Sequence, residues 1–210
     1  MILVVAMILF TAGETAKAET AWLDSLGLLS NVEIGSRLTK LQCGMRAEQQ
    51  AIVERMRSLL DSTSSESLRA QGALLGVVDL LTEFGGKREA RSLASRIDYF
   101  DPFMGYSGYD APPFRSYPFA IALSTMGMRA LDEIMWTLVH PKNELELRLS
   151  TGVLERIFGP GMARCIVSNK IEDVGDDRRA RRNLEKALLL LNREDYLYLL
   201  TMSLGDDGDK

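Results

Sequence analysis

Apolar residues recur at the spacing of an amphipathic helix through most of the chain after residue 35. Clusters of glycine, proline and serine interrupt this spacing, and such residues end one helix or start the next. No alternating apolar run is bounded by hairpin turns, so the pattern predicts an all-α fold without strands. The predicted helices cover residues 38–60, 66–84, 87–97, 118–127, 128–139, 144–158, 162–173, 177–191 and 194–204.

Three segments share one local pattern, in which leucine, two variable residues and a large apolar residue precede glycine. They begin at Leu81, Leu123 and Leu154, so the first two copies lie 42 residues apart and the last two 31. An alanine follows each glycine within a few residues. Because a helix pair cannot bury its apolar face alone, a helix–turn–helix period of this size indicates a solenoid of stacked pairs.

The run over residues 117–131 resembles the Pro-Ala-x-x-Ala-Leu-x-x-Ile-Gly-x-x-Ala-Leu pattern of HEAT-like repeats. The Glu-Leu-Arg of 146–148 and the Val-Leu of 153–154 are similar to the opening of such a repeat's second helix. The resemblance is clearest over residues 117–160, and the usual Asp-x-x-x-Arg ladder is missing. It implies a short right-handed α-solenoid that binds other proteins or acts as a scaffold, without catalytic residues. An irregular helical bundle is the alternative fold.

The first ten residues are all apolar, and small and polar residues follow them up to Ala16-Lys17-Ala18. This order is typical of a secretory signal peptide, so we expect cleavage after Ala18 and export to the periplasm or the exterior. A buried N-terminal helix is the alternative. The apolar run is too short for a permanent span, and no later segment reaches 18 apolar residues, so no membrane span is expected after signal removal. The predicted organisation is a signal peptide over 1–18, a single helical-repeat domain over 19–204 and a disordered acidic tail over 205–210.

Composition and charge narrow the functional classes. The chain has 210 residues, of which 46% are hydrophobic and 26% charged, and this is ordinary for a globular protein. Its formal net charge of −4 argues against general affinity for nucleic acid. Cys43 and Cys165 are the only cysteines. In an exported protein they can form a disulfide, but lone cysteines within helical patterns are also common as small core residues.

Candidate chemistry is sparse. The only histidine, His140, lies in a turn before Pro141, where a solvated turn residue is the simplest interpretation. One histidine and two distant cysteines give no cluster of metal ligands. The Gly-Gly-Lys of 85–87 lacks the earlier glycine of a phosphate-binding loop, since Leu81 occupies that position. The sequence therefore predicts a protein that is not an enzyme and that holds neither a cofactor nor a metal.

Two features suggest a surface for a protein partner. Residues 98–118 are rich in aromatic side chains, which make good interface anchors, although these side chains can instead cover the gap between helix pairs. Four arginines in five residues begin the helix over 177–191, and they can bind an acidic surface or form a salt-bridged, solvated face. The candidate partner-binding residues are Tyr99, Phe103, Tyr106, Tyr109, Phe114, Arg178, Arg179, Arg181 and Arg182.

The function expected from these observations is a non-catalytic protein–protein interaction or scaffold protein of the cell envelope or exterior. The alternative is an accessory or regulatory subunit of an exported enzyme complex.

Overall fold

The computed structural model describes residues 46–101 and 113–192, with only the backbone described at 46–48 and 113. All regular structure in these ranges is helical, which confirms the all-α prediction. The chain divides into two compact units, Met1–Phe84 and Gly85–Lys210, which are described separately. The α-helices are α1 (Arg46–Ser62), α2 (Ser65–Ala70), α3 (Leu74–Phe84), α4 (Lys87–Ala94), α5 (Pro118–Met126), α6 (Leu131–Val139), α7 (Glu144–Asp173) and α8 (Arg178–Leu191).

Several predictions concern other parts of the chain. The signal peptide, the helix over 194–204 and the acidic tail lie outside the described residues. So does the beginning of the helix predicted over 38–60. Among the described helices, none is both long enough and apolar enough to cross a membrane.

The first unit departs from the prediction at Gly72, where the helix expected over 66–84 divides into α2 and α3. Gly72 has a left-handed φ of 69°. Its N–H donates to the carbonyl of Arg69 at 2.8 Å, and the N–H of Ala73 donates to the carbonyl of Leu68 at 2.9 Å. These two bonds form the Schellman motif that ends α2. The prediction of one helix is wrong because a single left-handed glycine ends a helix even where the apolar spacing continues.

The core of the first unit lies between α1 and α3, which pack against each other. One stripe of each helix is buried, at spacings of three and four residues, as expected for amphipathic helices. The buried side chains are Ile52, Val53, Met56 and Leu60 of α1, Leu68 of α2, and Leu74, Val77, Val78, Leu80 and Leu81 of α3.

In the second unit, helices that are not consecutive pack in two rows. α6 packs against both α4 and α8, while α5 packs against α7. The rows are joined by consecutive helices, since α4 packs on α5, α6 on α7 and α7 on α8. The core between the rows includes Leu93, Ile97, Phe119, Leu123, Ile134, Leu138, Leu149, Val153, Leu154 and Leu184, all of which are fully buried.

Glycines end helices of the second unit where the sequence predicts. Gly127 ends α5 with φ 60°, and one 3₁₀ turn, Gly127–Ala130, then leads into α6. Gly159 has φ 75° and interrupts α7 just before Pro160. α7 is therefore two helical segments that meet at a kink, as expected from the predicted helices 144–158 and 162–173. The predicted start of α8 is also confirmed, because Asp177 caps it by accepting from the N–H groups of Arg179 and Ala180.

Polar contacts join segments of the second unit at a nearly constant sequence offset of 42–47 residues. Three of these contacts use a side-chain donor and a main-chain carbonyl, and we call these three the carbonyl ladder. In the carbonyl ladder Arg129 donates to Gly85 at 2.8 Å, Lys142 to Ser95 at 2.9 Å and Asn183 to Val139 at 3.0 Å. Asn143 also donates to the carboxylate of Asp98, and Lys186 pairs with Glu144.

Candidate interaction surface

The described residues of the aromatic loop pack into the second unit. The half-buried Tyr99 meets the ring of Phe119 edge to face, with centroids 5.8 Å apart. Phe114 is almost fully buried, and the guanidinium of Arg156 lies 4.7 Å from its ring centroid. Such contacts correspond to the alternative interpretation, in which the aromatic side chains cover a gap between helices. Phe103, Tyr106 and Tyr109 lie outside the described residues.

The four arginines of α8 are exposed, in keeping with a charged surface. The side chain of Asp177 already occupies two N–H groups of the first turn, so this helix start offers an anion few free main-chain donors. Arg181 donates to the carbonyl of Gly175 at 3.1 Å. The described partner-binding candidates lie on different elements, since Arg178, Arg179, Arg181 and Arg182 begin α8 while Tyr99 follows α4 and Phe114 precedes α5.

Cys165 is an exposed free thiol on α7, so the interpretation of this residue as a small core side chain is wrong. The apolar stripe of the second segment of α7 passes through Ala163 and Val167 instead. Cys43, its proposed disulfide partner, lies outside the described residues.

A tryptophan on α6 in the second unit is exposed to solvent. The side chain of Trp136 is 62% exposed, while Ile134 and Leu138 of the same helix are fully buried. The ring of His140 stacks on the indole, with centroids 4.0 Å apart and an interplanar angle of 33°. The N–H of His140 donates to the carbonyl of Trp136 at 2.9 Å, which fixes the histidine at the end of the helix. We call Trp136 and His140 together the Trp136 ridge.

Sequence reasoning missed Trp136, although a signal was present. Position 136 falls between Ile134 and Leu138, which the apolar spacing places inward, so a side chain there must point away from the core. The apolar spacing of α6 also includes Leu131 and Met135, which are only half-buried and line a groove. His140 is exposed, as predicted for a turn residue.

A groove of about 790 Å³ lies between α4 and α6 on one side of the Trp136 ridge. We call it the α4–α6 groove. Its charged lining residues are the cations Lys87, Arg88, Arg91 and Lys142 and the acids Asp132, Glu133 and Glu146.

Cations and acids differ in their exposure along the α4–α6 groove. The side chain of Arg91 is 78% exposed, whereas that of its partner Glu133 is only 10% exposed. Lys142 and the almost fully buried Glu146 form a similar pair at 3.2 Å. Hydrogen bonding and charge from Glu133 raise the pKa of Arg91, and those of Asp132 raise the pKa of Lys87, so both side chains stay cationic. Asp132 is the exception among the acids, since its side chain is 61% exposed and pairs with Lys87. The exposed charges of the groove are therefore four cations and one acid, and the surface that a ligand meets is mainly positive.

A second groove, of about 640 Å³, lies on the other side of the ridge, between α6, the second segment of α7 and the start of α8. We call it the α6–α8 groove. More of its lining residues are apolar, among them Met135, Val139 and Ile166, and its charged lining includes Asp173, Asp177 and Lys170. The Trp136 ridge thus lies between a groove with several cations and a groove lined mainly by apolar residues.

Among the described residues, no group of three or more His, Cys, Asp or Glu side chains is arranged so that it could hold a metal ion. The imidazole of His140 contacts an indole and a main-chain carbonyl, and no described hydroxyl or thiol bonds to it. Comparison with models of protein families, with curated proteins and with solved structures finds no match to this chain.

Proposed function

We propose that this chain is a non-catalytic protein–protein interaction or scaffold protein of the cell envelope or exterior. It recognises its partner with the Trp136 ridge and the two grooves beside it. The exposed indole carries this proposal, because tryptophan is enriched among residues that dominate binding energy when a partner covers them. Trp136 lines both grooves, so a partner that covers the indole can also contact the groove on either side of it.

The helical-repeat part of the proposal is supported by the regular offset of the contacts within the second unit. In a stack of repeats, equivalent helices lie side by side and one repeat length apart in sequence. The contacts that join the α4 and α6 segments and those between α6 and α8 have offsets of 42–47 residues, and this regularity supports a short solenoid. In such a solenoid α4, α6 and α8 form one continuous face, and the Trp136 ridge lies at its centre.

Replacing Trp136 by alanine is expected to weaken partner binding roughly 30-fold, the effect of a hot spot worth about 2 kcal/mol. The experiment immobilises the exported protein, captures its partner from an envelope or culture-medium extract and measures the apparent Kd of the captured protein. The melting temperature should stay nearly constant, because the indole is mostly exposed.

Leu189→Ala is the matched control, since Leu189 is equally exposed on α8 but lines neither groove. This variant should bind as the parent protein does. Equal binding by the Trp136→Ala and parent proteins, or an equal loss with Leu189→Ala, counts against the Trp136 ridge as the binding surface.

Export is the remaining element of the proposal. The full chain, produced in a secreting host, is expected to begin at Glu19 when the exported protein is sequenced from its N-terminus. Ala18→Arg should block this cleavage, because the residue before the cut must be small, while Lys17→Ala should leave it unchanged. An exported chain that still begins at Met1 contradicts the predicted signal peptide.

A further inference from the structure

Buried acids position the cations of the α4–α6 groove. Arg91 donates to Glu133 through Nε and Nη2 at 3.0–3.2 Å, so the hydrogens on Nη1 have no partner among the described residues. The carboxylate of Glu133 fixes the plane of the guanidinium and leaves an edge of it exposed. A guanidinium held in this way can bind a second carboxylate with little further loss of side-chain entropy.

Two more cations of the groove have hydrogen-bonding capacity left. The ammonium of Lys142 contacts Glu146 at 3.2 Å and the carbonyl of Ser95 at 2.9 Å, which leaves one of its three donors. Arg88 is exposed and forms no ion pair within the described ranges. The groove therefore presents at least three positioned or available cationic donors beside an exposed indole.

We propose that the α4–α6 groove binds an acidic peptide segment of a partner protein, with an apolar side chain of that segment against Trp136. This inference rests on the proposed function and specifies the chemistry of its ligand.

The length and spacing of the groove fit an extended peptide. The eight residues of α4 span about 12 Å, which an extended chain covers with roughly four residues. Arg88 and Arg91 are three residues apart on one face of α4, so their Cβ atoms are about 5–6 Å apart. Side chains two positions apart on an extended peptide repeat at a similar distance, about 6.7 Å. Alternating acidic residues therefore match this pair of cations.

A short peptide suits the charge of the protein better than a long polyanion does. The chain carries a net charge of −4, so a nucleic acid spread over its surface meets overall repulsion. A segment of about four residues stays within the groove, and charges more than about 10 Å away are largely screened at 0.1 M salt.

The probe is a fluorescein-labelled hexapeptide of alternating glutamate and leucine, titrated with the whole protein and followed by fluorescence anisotropy. Saturable binding is expected, and Arg88→Glu should weaken it at least ten-fold. In a Trp22→Phe background, Trp136 is the only indole, and its emission should change as the unlabelled peptide binds. Unchanged emission together with saturable binding places the peptide elsewhere and overturns the proposal.

Three controls test whether the peptide binds in this groove and through its acidic side chains. Arg164→Glu makes the same charge change on an exposed arginine of α7 outside the groove, and it should alter the affinity less than two-fold. A peptide with lysine in place of glutamate should not bind. Inorganic phosphate, added at constant ionic strength, should not displace the peptide. The proposed ligand is overturned if Arg164→Glu causes an equal loss of affinity, if the lysine peptide binds, or if millimolar phosphate displaces the acidic peptide.

Failure of this inference is distinguishable from failure of the proposed function. If Trp136→Ala loses the partner while Arg88→Glu leaves peptide binding unchanged, the interaction surface stands and the acidic ligand is wrong. If Arg88→Glu weakens the peptide while Trp136→Ala still captures the partner, the groove binds acidic peptides but the proposed partner surface is wrong.

Discussion

Phe119→Ala is expected to lower the free energy of unfolding of the second unit by about 3–5 kcal/mol. Phe119 is fully buried in the first turn of α5, and the edge-to-face contact with Tyr99 adds to its packing. Alanine leaves a cavity that helices fixed on both sides cannot fill by relaxing. Urea unfolding followed by far-UV circular dichroism measures the change as a lower midpoint with an unchanged slope.

Phe100→Ala provides the control for this cavity effect. Phe100 also takes part in an edge-to-face pair, with Tyr117 at 5.8 Å, but its side chain is 52% exposed. Its loss should therefore cost less than about 1 kcal/mol. If Phe119→Ala and Phe100→Ala lose similar amounts of unfolding free energy, the packing described for Phe119 is wrong.

Leu184→Ala in α8 should destabilise the second unit by about 2–5 kcal/mol. Leu184 is fully buried where α8 packs on α6 and α7. On the opposite face of the same helix, Leu189 is 65% exposed, and Leu189→Ala should stay within about 0.5 kcal/mol of the parent protein. Both variants replace a leucine of α8 by alanine, so the difference between their free energies of unfolding measures the effect of burial.

The same pair of variants also tests whether α8 belongs to the cooperative unit formed by α4 to α7. If it does, Leu184→Ala shifts the main urea transition. If α8 unfolds separately, the variant instead produces an early, small transition and leaves the main midpoint in place, contrary to the packing described above.

Most of the helical structure could be predicted from the sequence, because apolar spacing and helix-ending residues are local signals. Gly127, Gly159 and Asp177 each mark a helix end or start without help from the rest of the fold. Gly72 shows the limit of this approach. A glycine is tolerated inside some helices and ends others, and here the hydrogen bonds of Gly72 and Ala73 decide between the two.

The candidate site was less accessible to sequence reasoning than the fold. The aromatic residues of the loop were conspicuous by their number, yet Phe114 is used for packing. Trp136 is isolated in the sequence, and it becomes a candidate only when α4 and α8 are placed on either side of α6. The cations of the α4–α6 groove come from two segments about 50 residues apart, so no local pattern joins Arg91 to Lys142.

The carbonyl ladder has a consequence for how this architecture tolerates mutation. Each of its contacts joins one side chain, from Arg129, Lys142 or Asn183, to a main-chain oxygen. Every residue type supplies such an oxygen, so substitution at an acceptor position leaves the bond chemically available. The alignment of these helices therefore depends on the side chains of the three donor residues. The residues that supply the carbonyl oxygens can change without loss of the hydrogen bonds. Two proteins can share this arrangement while their aligned sequences retain little in common.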